Sequence, residues 1–257
     1  MPGVIFELVV LLVCFGVVGI SIRAAKAGKV PKVRKIAALE GLPELVGRAA
    51  EMGSCVHFMT GAGGLNVPSY AAQATAGLSI LGHVAELCGK YKVPIHYTCI
   101  YGYNIAIAQD LIRTGYLRGG HPELYRDDMI FYSGEHQYSY APALMGFIMR
   151  EKPAANMMFG EIMYETMNTI GAGAIAGSMQ AAGTINKYYQ CFLVSCCDFA
   201  MIGDELFAAA ASLRGIPDEL GGLRGADMIK MISLGLAALA IALASAGSDL
   251  FLQISKM

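Results

Sequence analysis

The sequence predicts an α/β protein: a Rossmann-like three-layer domain with a mostly parallel sheet, flanked by N- and C-terminal transmembrane helices. Three observations predict this fold class. Long apolar segments lie at both ends of the 257-residue chain. Between them, short apolar runs alternate with helical stretches. These runs are apolar on both faces, which is typical of parallel strands covered by helices.

The two terminal segments predict membrane helices. The first runs from Val4 to Ile22 with Glu7 as its only ionisable residue, and the second runs from Met228 to Ala246. Each is long enough to cross ~30 Å of hydrocarbon as a helix. A hydrophobic content of 55% agrees with this interpretation. We therefore predict a transmembrane anchor at 1–23, a transmembrane helix at 226–247 and a short tail at 248–257.

The charges after the first segment predict the orientation. Cytoplasmic flanks of membrane helices carry an excess of Lys and Arg. This places the protein in the cell membrane, with a basic juxtamembrane linker at 24–35 in contact with membrane lipid and a cytoplasmic domain at 36–225. A cleaved signal peptide is the weaker alternative, because the basic residues follow the apolar run. They are Arg23, Lys26, Lys29, Lys32, Arg34 and Lys35.

Alternating segments of the central region predict five or six strands. A first helix is predicted over 36–52, and a last one over 200–214 that ends at Gly215 and Pro217. The segment 171–177 is compatible with a strand, a packed helix or a re-entrant piece. The predicted strands are Cys55–Thr60, Pro94–Ile100, Met129–Ser133, Ala155–Phe159, Ala174–Met179 and Cys191–Cys196.

Polar residues at the predicted strand ends form the candidate site, because ligands of parallel sheets bind at the carboxyl ends of strands. The candidate ligand-binding residues are Thr60, Gly61, Gly63, Gly64, Thr98 and Ser133. The candidate catalytic residues are Glu135, His136, Asp198 and Cys197. Adjacent Glu and His suit acid–base chemistry or simply a solvated helix start. A thiol at a helix start is activated, and an Asp there can cap the helix.

The glycine loop at 61–64 favours a tight turn over a dinucleotide site. It lacks the third glycine of the dinucleotide fingerprint, and the next strand ends without the acid that holds a ribose. If the loop does contact a ligand, Gly63→Val is expected to abolish binding while the fold persists. The spacing of histidines and cysteines predicts no metal site. His57 and His96 are expected to be neighbours and core residues, so no cofactor is predicted.

Two features favour assembly. Ala238, Ala242 and Ala246 repeat every four residues, a stripe that lets membrane helices pack closely, and Gly16 and Gly19 act similarly in the first segment. The 13 tyrosines and 15 methionines are residue types enriched at interfaces, although core packing explains many of them. We expect a homo-oligomer and allow a protein partner. The net charge of −1 argues against nucleic-acid binding.

The run from Arg34 to Leu42, followed by 46–53 and by Val56-His57-Phe58, resembles an uncharacterised group of prokaryotic membrane-anchored proteins. That group is defined only as a domain of unknown function. The resemblance covers most of 30–225, and it implies the architecture without any catalytic residues.

Two functions therefore remain open. The first is a membrane-anchored cytoplasmic α/β domain that acts as a self-assembling scaffold or recruits a partner. It is favoured because no complete catalytic motif is present. The alternative is a small-ligand sensor or an enzyme that uses the strand-end residues. The sequence does not decide whether the protein is an enzyme.

Overall fold

The computed structural model describes residues 4–31 and 33–245, and the chain forms two compact units. Residues 34–214 form an α/β unit, while the segments up to 33 and from 215 onward form a helical unit. Three predicted features lie outside the described residues: Ala246 of the alanine stripe, Lys32 of the basic linker, and the tail at 248–257.

The α/β unit contains a six-stranded, all-parallel sheet, which confirms the predicted fold class. The strand order is β3-β2-β1-β4-β5-β6. The strands are β1 Val56–Gly61, β2 Ile95–Cys99, β3 Ile130–Tyr132, β4 Ala155–Glu161, β5 Met179–Thr184 and β6 Phe199–Ile202. The helices are α2 Ala37–Glu40, α3 Leu42–Met52, α4 Pro68–Tyr91, α5 Tyr103–Arg118, α6 Gln137–Glu151, α7 Glu165–Ala176, α8 Lys187–Cys196 and α9 Glu205–Arg214.

The two central strands, β1 and β4, define the point at which the strand order reverses. β1 pairs in parallel with β2 on one side and β4 on the other, so that Val56 lies beside both Ile95 and Ala155. Every residue of β1 and β4 is buried. In open parallel sheets the crevice outside the carboxyl ends of such strands is the usual ligand position.

The predicted strand at Cys191–Cys196 is wrong, because this segment is the second half of helix α8. Asn186 caps that helix, with its side chain accepting a 3.3 Å hydrogen bond from the Tyr188 backbone N–H. A short apolar run fits a strand or a buried helix equally well, and here the cap decides. The strand lies at Phe199–Ile202 instead, where a helix was predicted, and α9 begins only at Glu205.

The ambiguous segment at 171–177 is the end of helix α7. The helix stops at Ala176, and Gly177 follows it in the left-handed region with φ +77°. The prediction of a strand at Ala174–Met179 is therefore wrong, because the strand β5 begins only at Met179. The predicted helix over 36–52 is present but breaks at Gly41, where a Cβ atom would lie 2.5 Å from the Phe199 ring.

The helical unit consists of helices α1, Val4–Lys26, and α10, Pro217–Ser245. Both are long and apolar enough to cross a membrane. With a rise of 1.5 Å per residue, α1 is about 35 Å long and α10 about 44 Å long. α10 begins nine residues before the predicted start at 226.

Two glycines bring α1 and α10 into close, antiparallel contact. A Cβ atom on Gly221 would lie 2.8 Å from the Ile22 Cα atom, and one on Gly225 would lie 2.9 Å from the Val18 Cα atom. This is the small-residue spacing that lets membrane helices approach. The contact is supported at one end by an ion pair of 3.0 Å between the side chains of Lys26 and Asp218.

Candidate functional site at the carboxyl edge of the sheet

Two buried glutamates occupy the crevice beside β1 and β4. Glu161 ends β4 and is 3% exposed, while Glu165 begins α7 and is fully buried. Buried carboxylates require hydrogen-bond donors, because an isolated charge in the interior is strongly unfavourable. Both residues have such donors within the α/β unit.

Glu165 accepts hydrogen bonds from three groups. Its Oε1 atom accepts from the backbone N–H groups of Ala62, at 3.1 Å, and Met163, at 3.0 Å. Its Oε2 atom accepts from the Gln137 side-chain amide at 2.9 Å. Ala62 belongs to the glycine loop, whose N–H groups are the donors that a bound phosphate would use. One of these donors is therefore already engaged by an internal carboxylate.

Glu161 is held by two side-chain amides. Its Oε1 atom accepts from Asn186 at 3.2 Å, and its Oε2 atom accepts from Gln73. Gln73 is itself fixed, because its carbonyl accepts a 3.2 Å hydrogen bond from the Ile185 backbone N–H. Burial raises the pKa of both glutamates, and the charge of Glu165 raises the pKa of Glu161 further. The hydrogen bonds oppose this shift in each case.

The glycine loop is required by close backbone packing. Gly61 has φ +77°, and a Cβ atom there would lie 1.9 Å from the Glu161 carbonyl oxygen. A Cβ atom on Gly63 would lie 2.2 Å from the Glu161 Cβ atom. The expectation that Gly63→Val leaves the fold intact is therefore wrong, because the added side chain would overlap β4.

The two threonines predicted to bind a ligand are buried and bonded within the protein. The Thr60 hydroxyl lies 2.8 Å from the Tyr97 hydroxyl. The Thr98 hydroxyl lies 2.9 Å from Nε2 of His57. Neither hydroxyl faces solvent, so both stabilise the core in this structure.

His57 is a core histidine, as predicted, and it lies beside His96 in the β1–β2 register; His96 itself is only half-buried, so its prediction as a core residue is wrong. Its Nδ1 atom is 2.7 Å from the Asn156 side-chain oxygen and its Nε2 atom contacts Thr98. A neutral ring satisfies both contacts, with Nδ1–H as donor and Nε2 as acceptor. Burial agrees with this state, since it lowers the pKa of His57 to about 4.

Ser133, Glu135 and His136 lie at the carboxyl edge, as predicted. Glu135 and His136 are exposed on the segment between β3 and α6. The next residue, Gln137, donates to Glu165, so this segment approaches the buried acids. Among the described residues, three buried side-chain oxygens have no hydrogen-bond partner, and all three lie at this edge: Asn104 Oδ1, Ser133 Oγ and Thr166 Oγ1.

Cys197 and Asp198 lie at the opposite edge, so their predicted position is wrong. They precede β6 and therefore occupy its amino end, about 13 Å from its carboxyl end at the usual rise per strand residue. Asp198 accepts a 2.7 Å hydrogen bond from the Gln180 backbone N–H. Cys197 follows the end of α8 instead of starting a helix, and burial raises the pKa of its thiol to about 12.

Several tyrosines lie at the carboxyl edge of the sheet. Tyr138 is 87% exposed and Tyr188 is 91% exposed, each in the first turn of its helix. Tyr101 and Tyr103 stack with ring centroids 5.2 Å apart and an interplanar angle of 9°. The seven tyrosines on the segments and helix starts after the strands are Tyr70, Tyr101, Tyr103, Tyr138, Tyr164, Tyr188 and Tyr189. We call these residues the tyrosine edge.

A groove of about 420 Å³ lies away from the acids, between α4, α5 and α9. Leu78, Ile107, Leu111 and Leu213 line it, together with polar side chains that include His83. None of the candidate catalytic or ligand-binding residues lines this groove.

Sequence reasoning missed Glu165, Gln73 and Asn186 as members of the site. The available signal for Glu165 was its position after β4, the strand that neighbours β1, but this neighbour relation is a property of the sheet order. Gln73 stands in an otherwise mostly apolar or small-residue stretch of α4, a pattern that indicates a buried polar contact.

These features define a parallel α/β domain with two buried, internally hydrogen-bonded glutamates at the point where the strand order reverses, together with two apolar terminal helices. The chain belongs to the family of the domain of unknown function DUF6754, whose profile matches residues 3–255. This confirms the resemblance to an uncharacterised family. The comparisons with curated proteins and with solved structures give no match.

Proposed function

We propose that this protein is a membrane-anchored scaffold that self-assembles through its terminal helices and holds its α/β domain on the cytoplasmic side. The single observation that carries the proposal is the arrangement of small residues on α1 and α10. One set of small residues packs α10 against α1 within the same chain, and a second set faces away from this contact.

The inward set is Gly221 and Gly225, which contact α1 as described above. The outward residues lie on other faces. Gly16, Gly19 and Gly235 have room for a Cβ atom, with no described atom within 4 Å of it. Ala238 and Ala242 are exposed on α10. Because lipid tails are as apolar as leucine, close packing is a main force that associates membrane helices. Small residues that face outward allow this close packing between helices of different chains.

The α/β domain fits a recruiting role better than a catalytic one. The acids and the glycine loop bond to each other, and the predicted threonines are buried. The exposed side chains of the same edge include Tyr103, Tyr138 and Tyr188, and tyrosine is a residue type enriched at protein interfaces. An assembled scaffold would display several copies of the tyrosine edge to a protein partner.

We expect Ala238→Leu to weaken self-association. The added side chain would separate helices that approach through a small residue, at a cost on the order of 1 kcal/mol per contact. In a symmetric oligomer the cost recurs at each equivalent interface. The measurement is the native mass of the detergent-solubilised full chain, compared with that of the wild type.

Ala244→Leu is the matched control, since it makes the same substitution on the same helix. Successive residues turn by about 100°, so Ala244 points about 120° away from Ala238. It is also exposed. Loss of mass in the Ala238 variant alone is the expected result. Equal behaviour of both variants would contradict packing through the alanine face.

The cytoplasmic position of the domain can be tested with its own thiols. Cys191 and Cys196 are exposed on α8, far in sequence from both apolar segments. The basic flank of α1 predicts that they face the cytoplasm. In intact cells, a membrane-impermeant maleimide should therefore leave the protein unlabelled, and it should react after permeabilisation. The Cys191→Ser/Cys196→Ser variant measures background labelling, and ready labelling in intact cells would reverse the orientation.

A small-ligand sensor is the second candidate function. The unpartnered buried oxygens of Asn104, Ser133 and Thr166 favour it, because buried polar atoms usually have a hydrogen-bond partner. A broad screen for ligands that raise the unfolding temperature of the solubilised protein tests this candidate. A ligand whose effect disappears in Ser133→Ala would support the sensor. A screen without any response would remove the sensor and leave the scaffold as the only candidate function.

A further inference from the structure

Helices α6 and α7 pack side by side on one face of the sheet. Their sequences contain no Asp, Glu, Lys, Arg or His at 137–149 or at 166–176. The charged residues of the two helices are Arg150 and Glu151, which end α6, and Glu165, which is buried. The outer surface formed by 137–149 and 166–176 therefore carries no charge, and we call it the uncharged face.

Large apolar side chains are exposed on the uncharged face. Met145 and Met149 of α6 are exposed one turn apart, and α7 exposes Met167 and Ile175. Gly171 lies between the last two residues, and a Cβ atom there would meet open space. Methionine is enriched at protein interfaces, whereas Lys, Glu and Asp are depleted there. The uncharged face therefore has the composition of an interface core.

The helices on the other side of the sheet have a different surface. The strand order runs from β1 to β3 in one direction and from β4 to β6 in the other. Right-handed crossovers therefore place α4 and α5 on one side and α6 and α7 on the other. α4 and α5 expose the charged residues Lys90, Asp110, Arg113 and Arg118. The scarcity of charge is thus a property of one side of the domain.

The absence of charge also limits which surface can cover the uncharged face. A charged surface, such as the α4–α5 side of another copy or a layer of anionic headgroups, would lose hydration there without gaining an ion pair. The uncharged face of a second copy avoids this cost. A two-fold contact brings the same face of two copies together, and a face without charges meets itself without like-charge repulsion.

We propose that the uncharged faces of two copies pack against each other about a two-fold axis, so that α6 and α7 of one copy cover α6 and α7 of the other. The proposal rests on the self-assembling function above. It adds a contact between α/β domains to the contact between membrane helices.

Ile175→Lys tests this contact by placing a charge within it. Ile175 is 76% exposed, so the substitution leaves the packing within one chain intact. An unpaired ammonium buried between two copies is unfavourable, so the dissociation constant of the detergent-solubilised oligomer should rise by about tenfold or more. Sedimentation of the full chain over a dilution series measures this constant.

Leu117→Lys is the matched control, because Leu117 is 63% exposed on α5, outside the uncharged face. This variant should dissociate like the wild type. Equal weakening in the two variants would contradict the contact. If the wild type oligomerises and Ile175→Lys does not weaken the oligomer, the contact is overturned and the scaffold function stands. A monomeric wild type would remove both.

Distances between spin labels test the contact without a change of charge. The labels are attached to Ile175→Cys or to Leu117→Cys, and the distance between copies should be shorter at 175 than at 117. The native cysteines replaced by serine in both chains are Cys14, Cys191, Cys196 and Cys197. A longer distance at 175 would overturn the contact. So would a label at 175 that is shielded from an aqueous relaxation agent without coupling between copies, because lipid or a different protein would then cover the face.

Discussion

Gly61→Ala is expected to destabilise the α/β unit more than any other single methyl addition at the carboxyl edge. The substitution forces a Cβ atom to within 1.9 Å of the Glu161 carbonyl oxygen and also places alanine at φ +77°. Left-handed strain costs about 1–3 kcal/mol and overpacking about as much again. We expect a loss of about 4 kcal/mol in the free energy of unfolding. Thermal unfolding of the solubilised full chain, followed by circular dichroism, measures it.

Gly53→Ala separates backbone strain from the clash. Gly53 is also left-handed, with φ +61°, but a Cβ atom there has no described atom within 4 Å. This control should lose only about 1 kcal/mol, the lower part of the cost of left-handed strain. Equal losses in the two variants would mean that the close approach of β1 and β4 does not determine the role of Gly61.

Glu165→Ala is the second substitution with a large expected effect. It leaves the buried N–H groups of Ala62 and Met163 and the amide of Gln137 without their acceptor. An unsatisfied buried polar group costs about 1–3 kcal/mol. We expect a loss of about 3–5 kcal/mol in the free energy of unfolding, because three such donors lose their acceptor together. Chemical denaturation of the solubilised chain provides the measurement.

Glu165→Gln is the matched control, because its carbonyl can accept the two backbone hydrogen bonds. It also reports the titration of Glu165. Burial raises the folded-state pKa above its ordinary value of 4.5. The folded state therefore binds the Glu165 proton more tightly than the unfolded state does. The contribution of this proton to the free energy of unfolding is fully present below pH 4.5 and is lost as the pH rises through the folded-state pKa. The stability of the wild type relative to Glu165→Gln should fall as pH rises from 4.5, and a rise would contradict burial as the dominant cause.

The sheet was predictable because its strands are largely apolar and several of them are followed within a few residues by glycine. The end of the chain shows where such reasoning fails. Cys191–Cys196 and Ala200–Arg214 are both apolar, and only the Asn186 cap and the pairing of β6 with β5 assign helix and strand. That single exchange moved Cys197 and Asp198 to the opposite edge of the sheet.

The candidate site was only partly predictable for a related reason. Residues close to strand ends in sequence, such as Gly61 and Gly63, could be chosen from composition alone. The contact between Ala62 and Glu165 joins segments 103 residues apart and depends on β4 lying beside β1. Similarly, Gly221 and Gly225 have the spacing of a membrane contact but stand before the apolar stretch, so hydropathy alone placed them outside the span.

Self-assembly in the membrane is tested most directly by the native mass of the wild-type chain, extracted in mild detergent at its cellular concentration. One chain has a mass of 27.2 kDa. The outward small residues of α1 and α10 predict a defined multiple of this mass, retained on dilution. A wild-type protein that runs at the mass of one chain under these conditions would contradict the scaffold function.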